Sequence, residues 1–145
     1  MVLSKASEYS IRATVFIALK SLEGEKVNLK EIASQIESPE AFTSKLLQML
    51  KKNGIVRSTL GKSGGFEIEK EKLESIRLCH IVTAVDGNAD YSVCIMGLKA
   101  CSDNVPCPMH SQYRNIKQNL NDLLHSTKLI TLAKKLRTGQ VFLKN

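Results

Sequence analysis

Between Asn28 and Ile68 the hydrophobic pattern changes its period, and each change is marked by its own start or stop signal. Asn28 and Glu31 form a capping-box pattern, and Leu29, Ile32, Ala33 and Ile36 follow at helical spacing. Ser38 as N-cap and Pro39 at the first helical position open a second helix, whose apolar face is Phe42, Leu46, Met49 and Leu50. Asn53 and Gly54 end it, since glycine tolerates the left-handed cap. Then comes a β-branched run, Ile55 to Thr59, a glycine-rich tip, Leu60 to Gly65, and a second extended run from Phe66 to Ile68. Two short helices joined by a tight turn and followed by a hairpin are a helix-turn-helix with a wing. The second helix is shaped to lie in a major groove.

Charge supports this placement. The chain has 145 residues and a formal net charge of +7, and between Ala41 and Phe66 it carries Lys45, Lys51, Lys52, Arg57 and Lys62 with no acidic residue. An acid-free stretch over such a pattern suits a phosphate backbone. The outward face of the second helix is expected to carry Glu40, Ala41, Thr43, Ser44, Lys45, Gln48, Lys51 and Lys52. Its N-terminal members, with Ser38, are best placed for base edges and the later lysines for phosphates. Arg57 on the first strand and Lys62 with Ser63 at the wing tip complete the expected DNA contacts, Lys62 suiting a narrow minor groove. Gly61, Lys62 and Ser63 mimic the end of a phosphate-binding P-loop. That motif needs a glycine where Val56 stands and a helix where the second strand begins, so it is rejected.

Around this module the chain reads as mainly α. A helix from Ser4 to Leu22, capped by Ser4 or Ser7, is apolar on most sides and is expected to be buried between its own domain and a partner subunit. A charged linker spans Glu67 to Glu74, and a short helix runs from Ile76 to Val85, with Cys79 as a core residue and His80 at the surface or capping. Met109, Tyr113, Ile116, Leu120 and Leu123 form a heptad seam on a long helix, expected to pair two subunits. A last helix, about Thr127 to Arg137, packs back on the body, and the residues beyond it are expected to fray. The expected organisation is a DNA-binding domain over 1–87, a cysteine loop over 88–107, a dimerisation helix over 108–126 and a C-terminal helix and tail over 127–145. No apolar run is long enough to cross a membrane and no signal peptide opens the chain, so a cytoplasmic protein is expected.

Cys94, Cys101 and Cys107 are spaced C-x6-C-x5-C, with His110 three residues further on. Structural zinc sites use tighter knuckles, whereas wider gaps suit thiolates arranged around an iron–sulfur cluster. Cys107 is expected at a helix N-terminus, where the dipole would favour its thiolate, and His110 would share its face one turn on. Spacing ranks a cluster first and leaves unliganded thiols and a disulfide open. No Cys–His–acid arrangement suggests catalysis, so no enzyme activity is expected.

Taken in order, Glu8 to Ala13, Leu29 to Ala33, Leu46 to Val56, Ser58 to Phe66, Ile81 to Gly87 and the three cysteines resemble the IscR/NsrR-type family of winged-helix transcriptional regulators, over about Met1 to Ala133. The resemblance implies a winged helix-turn-helix with a long dimerisation helix, acting as a homodimeric regulator, expected to be a repressor, on double-stranded DNA. It implies a two-iron or four-iron cluster, held by the three cysteines and a fourth ligand, through which the regulator is expected to sense iron–sulfur status, nitric oxide or redox state. That ligand corresponds to His110 or to Glu8 of the other subunit. Glu8 is preferred, because a ligand from the partner would tie the cluster to dimer geometry. A cofactor-free regulator of the same fold, controlled by a partner protein or a reactive thiol, is the alternative. The chain departs from the family pattern at two places: its first cysteine gap is six residues where five is usual, and Leu60 stands where many relatives have arginine.

Overall fold

The computed structural model describes residues 3–88 and 94–145; the part of the expected cysteine loop from 89 to 93 lies outside the described residues. The element order is α1 (Lys5–Leu22), α2 (Leu29–Gln35), α3 (Glu40–Lys52), β1 (Arg57–Thr59), β2 (Gly65–Glu67), α4 (Lys70–Leu73), α5 (Leu78–Asp86), α6 (His110–Ser126) and α7 (Leu129–Arg137). It is a mainly helical fold with one small antiparallel hairpin.

α1 is the hub. Ser4 caps it, its Oγ accepting from the Ser7 N–H at 3.0 Å. The Ser4 and Ser7 hydroxyls both donate to the Asp86 carboxylate at 2.7–2.8 Å, which ties the start of α1 to the end of α5. Further along, Ala13, Val15, Phe16, Ile17 and Ala18 are buried. Each large apolar side chain among them contributes about 1.5–3 kcal/mol by leaving water. The expectation that a partner covers one side of α1 is not needed to explain this burial. α7, α5, α2, α3 and β2 of the same chain pack around it.

α2 begins as expected, the Asn28 Oδ1 accepting from the Glu31 N–H at 2.8 Å. The turn into α3 uses Glu37 in the left-handed region, at φ 53°. Ser38 is not the cap of α3. The helix starts at Glu40 after Pro39 with no side-chain cap, and the Ser38 hydroxyl reaches only the Pro39 carbonyl at 3.5 Å. Proline, fixed near the helical φ but extended in ψ, takes the flanking position itself. Phe42 sets its ring edge-on to Tyr9 of α1, with centroids 5.6 Å apart.

β1 and β2 pair in the register Arg57–Glu67, Ser58–Phe66 and Thr59–Gly65. A third strand position, unmarked by any pattern, is Val27. It exchanges both backbone hydrogen bonds with Phe66, at 3.1 and 2.7 Å, and so anchors the wing to the α1–α2 connection. Gly65 lies so close to Val27 that a Cβ there would sit 2.7 Å from the Val27 carbonyl oxygen. The stretch expected as a charged linker instead completes β2 and forms α4, pinned by Leu73 in the core.

Gly87, at φ 81°, caps α5 in the left-handed conformation. Cys79 is buried in the core, and the His80 Nδ1 accepts from the Arg77 N–H at 2.9 Å, a capping role. The segment before α5 pairs with the segment before α7, through Leu78 N–H to the Thr127 carbonyl and Leu129 N–H to the Ile76 carbonyl. α7 is thereby set against α1. Past α7, Leu143 packs on the core, so the tail is laid along α1 and α7 instead of fraying outright.

Candidate nucleic-acid interface and cysteine loop

α3 presents two unlike faces. Leu46, Leu47 and Leu50 are buried, while Glu40, Ala41, Lys45, Gln48, Lys51 and Lys52 are exposed and Ser44 is half-buried, as is Ser38 before the helix. Thr43 departs from the expected outward set. It is 0% exposed, and its hydroxyl donates to the Pro39 carbonyl at 2.9 Å. The reason is one of helical phase: Thr43 shares a stripe with Leu46, Leu47 and Leu50. Its hydroxyl shares the Pro39 carbonyl with the Thr43 N–H, also at 2.9 Å, so it is buried with a hydrogen-bond partner.

The charged wing is less positive than its sequence implies. Arg57 is exposed, but its guanidinium grips Glu67 across the hairpin and reaches Glu69 at 3.4 Å. These carboxylates lie just past the acid-free stretch, and cross-strand register brings them back over it. The Arg57 guanidinium is correspondingly held more firmly protonated, chiefly by its hydrogen bond and attraction to Glu67. Lys62 and Ser63 remain exposed at the tip. The tip is closed by the Gly64 N–H donating to the Gly61 carbonyl at 3.0 Å, and a Cβ on Gly64 would fall 2.1 Å from the Thr59 carbonyl oxygen.

The cysteine loop folds back on itself ahead of α6. Cys94 is only 3% exposed, and Cys101 and Cys107 are half-buried. A turn after Cys94, closed by the Gly97 N–H to the Cys94 carbonyl at 2.9 Å, points amide groups at the sulfur; the Met96 N–H lies 3.4 Å from Sγ. Hydrogen bonds from the Leu98 and Met96 amides, the largest effect, together with those from the Cys107 thiol and the Gly97 amide, lower the Cys94 thiol below its usual range. Cys107 moves the other way. Burial raises its thiol, and its hydrogen bond to Cys94 adds to the rise. The expected helix-dipole effect at Cys107 is therefore corrected. α6 begins only at His110, and the amides that favour a thiolate surround Cys94.

His110 lies between sulfur and acid, its Nδ1 3.4 Å from Cys101 Sγ and its Nε2 2.9 Å from Asp103. Arg114 approaches the same carboxylate at 3.4 Å, and Asp103 is held below the ordinary carboxylate range, first by its hydrogen bond with His110 and then by the Arg114 charge. Glu8, the other expected ligand, pairs with Lys5 at 3.2 Å on the first turn of α1. Among the described residues, no group of three or more His, Cys, Asp and Glu is arranged to hold a metal ion.

α6 divides its apolar residues. Leu124 is buried and Leu120 is packed against the core, whereas Met109, Ile116 and Leu123 are exposed, Ile116 by 62%. Tyr113 is half-buried. Leu124, absent from the expected seam, was hidden by its adjacency to Leu123, because only packing shows which of two neighbouring leucines faces inward. Leu47 beside Leu46 was missed on α3 for the same reason.

A helix-turn-helix whose second helix turns a lysine-bearing face outward, followed directly by a wing, defines a winged-helix DNA-binding regulator, not an enzyme. The chain belongs to the Rrf2 family, whose model, described as an iron-dependent transcriptional regulator, matches residues 3–135. It is 29% identical over 141 residues to the HTH-type transcriptional regulator IscR of Erwinia tasmaniensis, covering 97% of this chain and 82% of that protein. It is 31% identical over 133 residues to IscR of Serratia proteamaculans, covering 92% and 77%. Among solved structures, CymR, the global cysteine regulator of B. subtilis, superposes with a TM-score of 0.74 at 24% identity, covering 92% of this chain and 96% of that one. T. potens IscR superposes at 0.70 with 21% identity, covering 96% and 90%. These two likenesses establish the fold alone.

Proposed function

We propose that this regulator acts as a homodimer whose operator affinity is set by an iron–sulfur cluster held by Cys94, Cys101 and Cys107, with His110 or Glu8 of the partner subunit as fourth ligand. The observation that carries the reading is the environment of Cys94: a buried sulfur with backbone amides directed at it and its thiol lowered. Amide donors around a thiolate are what an iron–sulfur ligand needs, since they stabilise its charge away from water. Ligands of a multinuclear cluster stand around several atoms instead of converging on one ion, so the wide spacing of the loop is compatible with that group. His110, already 3.4 Å from Cys101, is favoured over Glu8 as the ligand from within the chain. When bound, such a cluster supplies a centre that oxygen, nitric oxide or iron shortage can alter.

Cys107 lies three residues before α6, with its carbonyl accepting from the His110 N–H at 3.0 Å. A change at its sulfur therefore bears on the start of the helix whose exposed residues Ile116 and Leu123, with Met109 just before it, form the dimer seam. Re-aiming that seam changes the separation of the two α3 helices, which must fit half-sites roughly 34 Å apart. The chain is similar over most of its length to proteins named IscR, and its family is described as iron-dependent, which supports the reading.

Oxygen-free purification with iron and sulfide counting tests the reading. The expected result is a coloured protein whose visible absorbance disappears when the three cysteines are changed to alanine, together with an altered operator affinity. A protein that stays colourless after reconstitution, with unchanged affinity in the triple variant, would remove the sensing claim. The Cys94–Cys107 hydrogen bond favours a second reading: a lowered thiol beside a raised one is a redox-reactive pair that needs no metal. In that case colourless protein would lose operator affinity on treatment with peroxide and regain it with thiol.

A further inference from the structure

Among the described residues, exposed large apolar side chains occur in three settings, on the cysteine loop, at α6 and in the tail, and at one position apart from these, Leu60. Leu60 is 96% exposed at the tip of the wing, the most exposed of the large apolar residues described. A single apolar residue on a surface is ordinary. This one is held out by the architecture. The β1–β2 pairing ends at Thr59 and Gly65, the Gly61–Gly64 hydrogen bond closes the tip, and no side chain larger than hydrogen fits at Gly64. Lys62 and Ser63 flank it in the same turn, while Arg57, the strand's cation, is committed to Glu67 and Glu69.

We propose that Leu60 is a specificity residue: carried on the wing tip, its side chain seats in the minor groove and disfavours G·C pairs there. The inference rests on the DNA-binding class of the protein and on α3 occupying the major groove. With α3 so placed, the hairpin leaving its C-terminal end reaches toward the neighbouring groove. Three paired residues rise about 10 Å. The minor groove, about 6 Å wide, excludes a helix but admits one side chain from a hairpin tip. Its floor differs between base pairs by the 2-amino group of guanine, which projects from it and must be hydrogen-bonded. A leucine over that group blocks its water and offers no acceptor, whereas over A·T it meets a floor with no projecting donor. Apolar wedges in minor grooves also favour steps that unstack readily. Lys62 would then supply the phosphate contact and Leu60 the discrimination.

The test uses duplexes enriched by the wild-type full-length protein from a randomised pool, with each A·T pair outside the α3 half-sites changed to G·C or to inosine·C. Inosine lacks the 2-amino group and keeps the major-groove edge of guanine. At one or more positions, G·C should weaken wild-type binding roughly fivefold, about the smaller end of single-pair effects, and inosine·C should restore it. Leu60→Ser should bind all three duplexes alike, and Leu60→Met should keep the discrimination. A discrimination unchanged in Leu60→Ser, or no position at which inosine rescues, overturns the proposal. Failure of every variant to enrich any duplex would instead overturn the DNA-binding assignment beneath it, and the two failures are told apart by whether Leu60→Ser still enriches DNA.

Discussion

The DNA-reading body and the cysteine-bearing arm are built on opposite terms. In the body, the leucines and isoleucines of α1 to α5 and α7 are buried or half-buried and none is exposed, and the end of α5 is pinned to the start of α1 by the Ser4 and Ser7 hydroxyls donating to Asp86. In the arm, the cysteine loop and α6 leave Ile95, Met96, Leu98, Val105, Ile116 and Leu123 exposed, and the loop is held by short polar links around sulfur. A reading head must keep its shape, because a base contact tolerates little misplacement. The thinly packed arm can hold two arrangements close in free energy, which is what the sensing role proposed for it requires.

That contrast can be broken at several points. Leu47→Ala, in the fully buried face of α3, should cost about 2–5 kcal/mol in urea unfolding, the range for a leucine cavity in a core. A loss under 1 kcal/mol would show that the body is no tighter than the arm. Ile116→Asp should leave the unfolding of each chain nearly unchanged. It should weaken subunit pairing by on the order of 2–4 kcal/mol, visible as a shift to monomer in sedimentation at micromolar protein. An undisturbed dimer would place the seam elsewhere.

Within the body, Lys62→Ala should lower the salt dependence of DNA binding by about one ion. Arg57→Ala should change it far less, because the Arg57 charge is already matched by Glu67 and Glu69. Equal slopes for the two variants would mean that DNA strips Arg57 from its partners. The smallest effect expected is one of pH on the metal-free arm. Asp103 is held below the usual carboxylate range by His110 and Arg114, so its contribution is present above the ordinary carboxylate pKa and is lost as pH falls through the lowered value. Carbon-13 titration of Asp103 should show the lowered midpoint, returning toward the ordinary one in His110→Ala.

Much of the body was legible because its signals are local. Asn28 caps α2, Gly54 and Gly87 adopt positive φ at helix ends, and Gly61 to Gly65 permit a tight tip, each a consequence of chemistry within a few residues. The errors share one cause. Ser38 and Pro39 both suit a helix start, and the choice between them went to backbone geometry. Thr43 was placed outward by residue type, but helical phase and the burial of its stripe turned it inward. Cys107 was assigned the favoured thiolate from its place before a helix, whereas the amides that matter come from the turn after Cys94.

Local pattern and charge were sufficient to identify two capped helices, a glycine-tipped hairpin and a cysteine loop feeding a long helix, since each depends on neighbours along the chain. Contacts between distant segments had to be formed before Val27 could join the wing, Glu67 and Glu69 could quench Arg57, or His110 could meet Cys101. Those properties depend on distances through space, and the free energy of a charge or a buried hydroxyl is set by what stands beside it there.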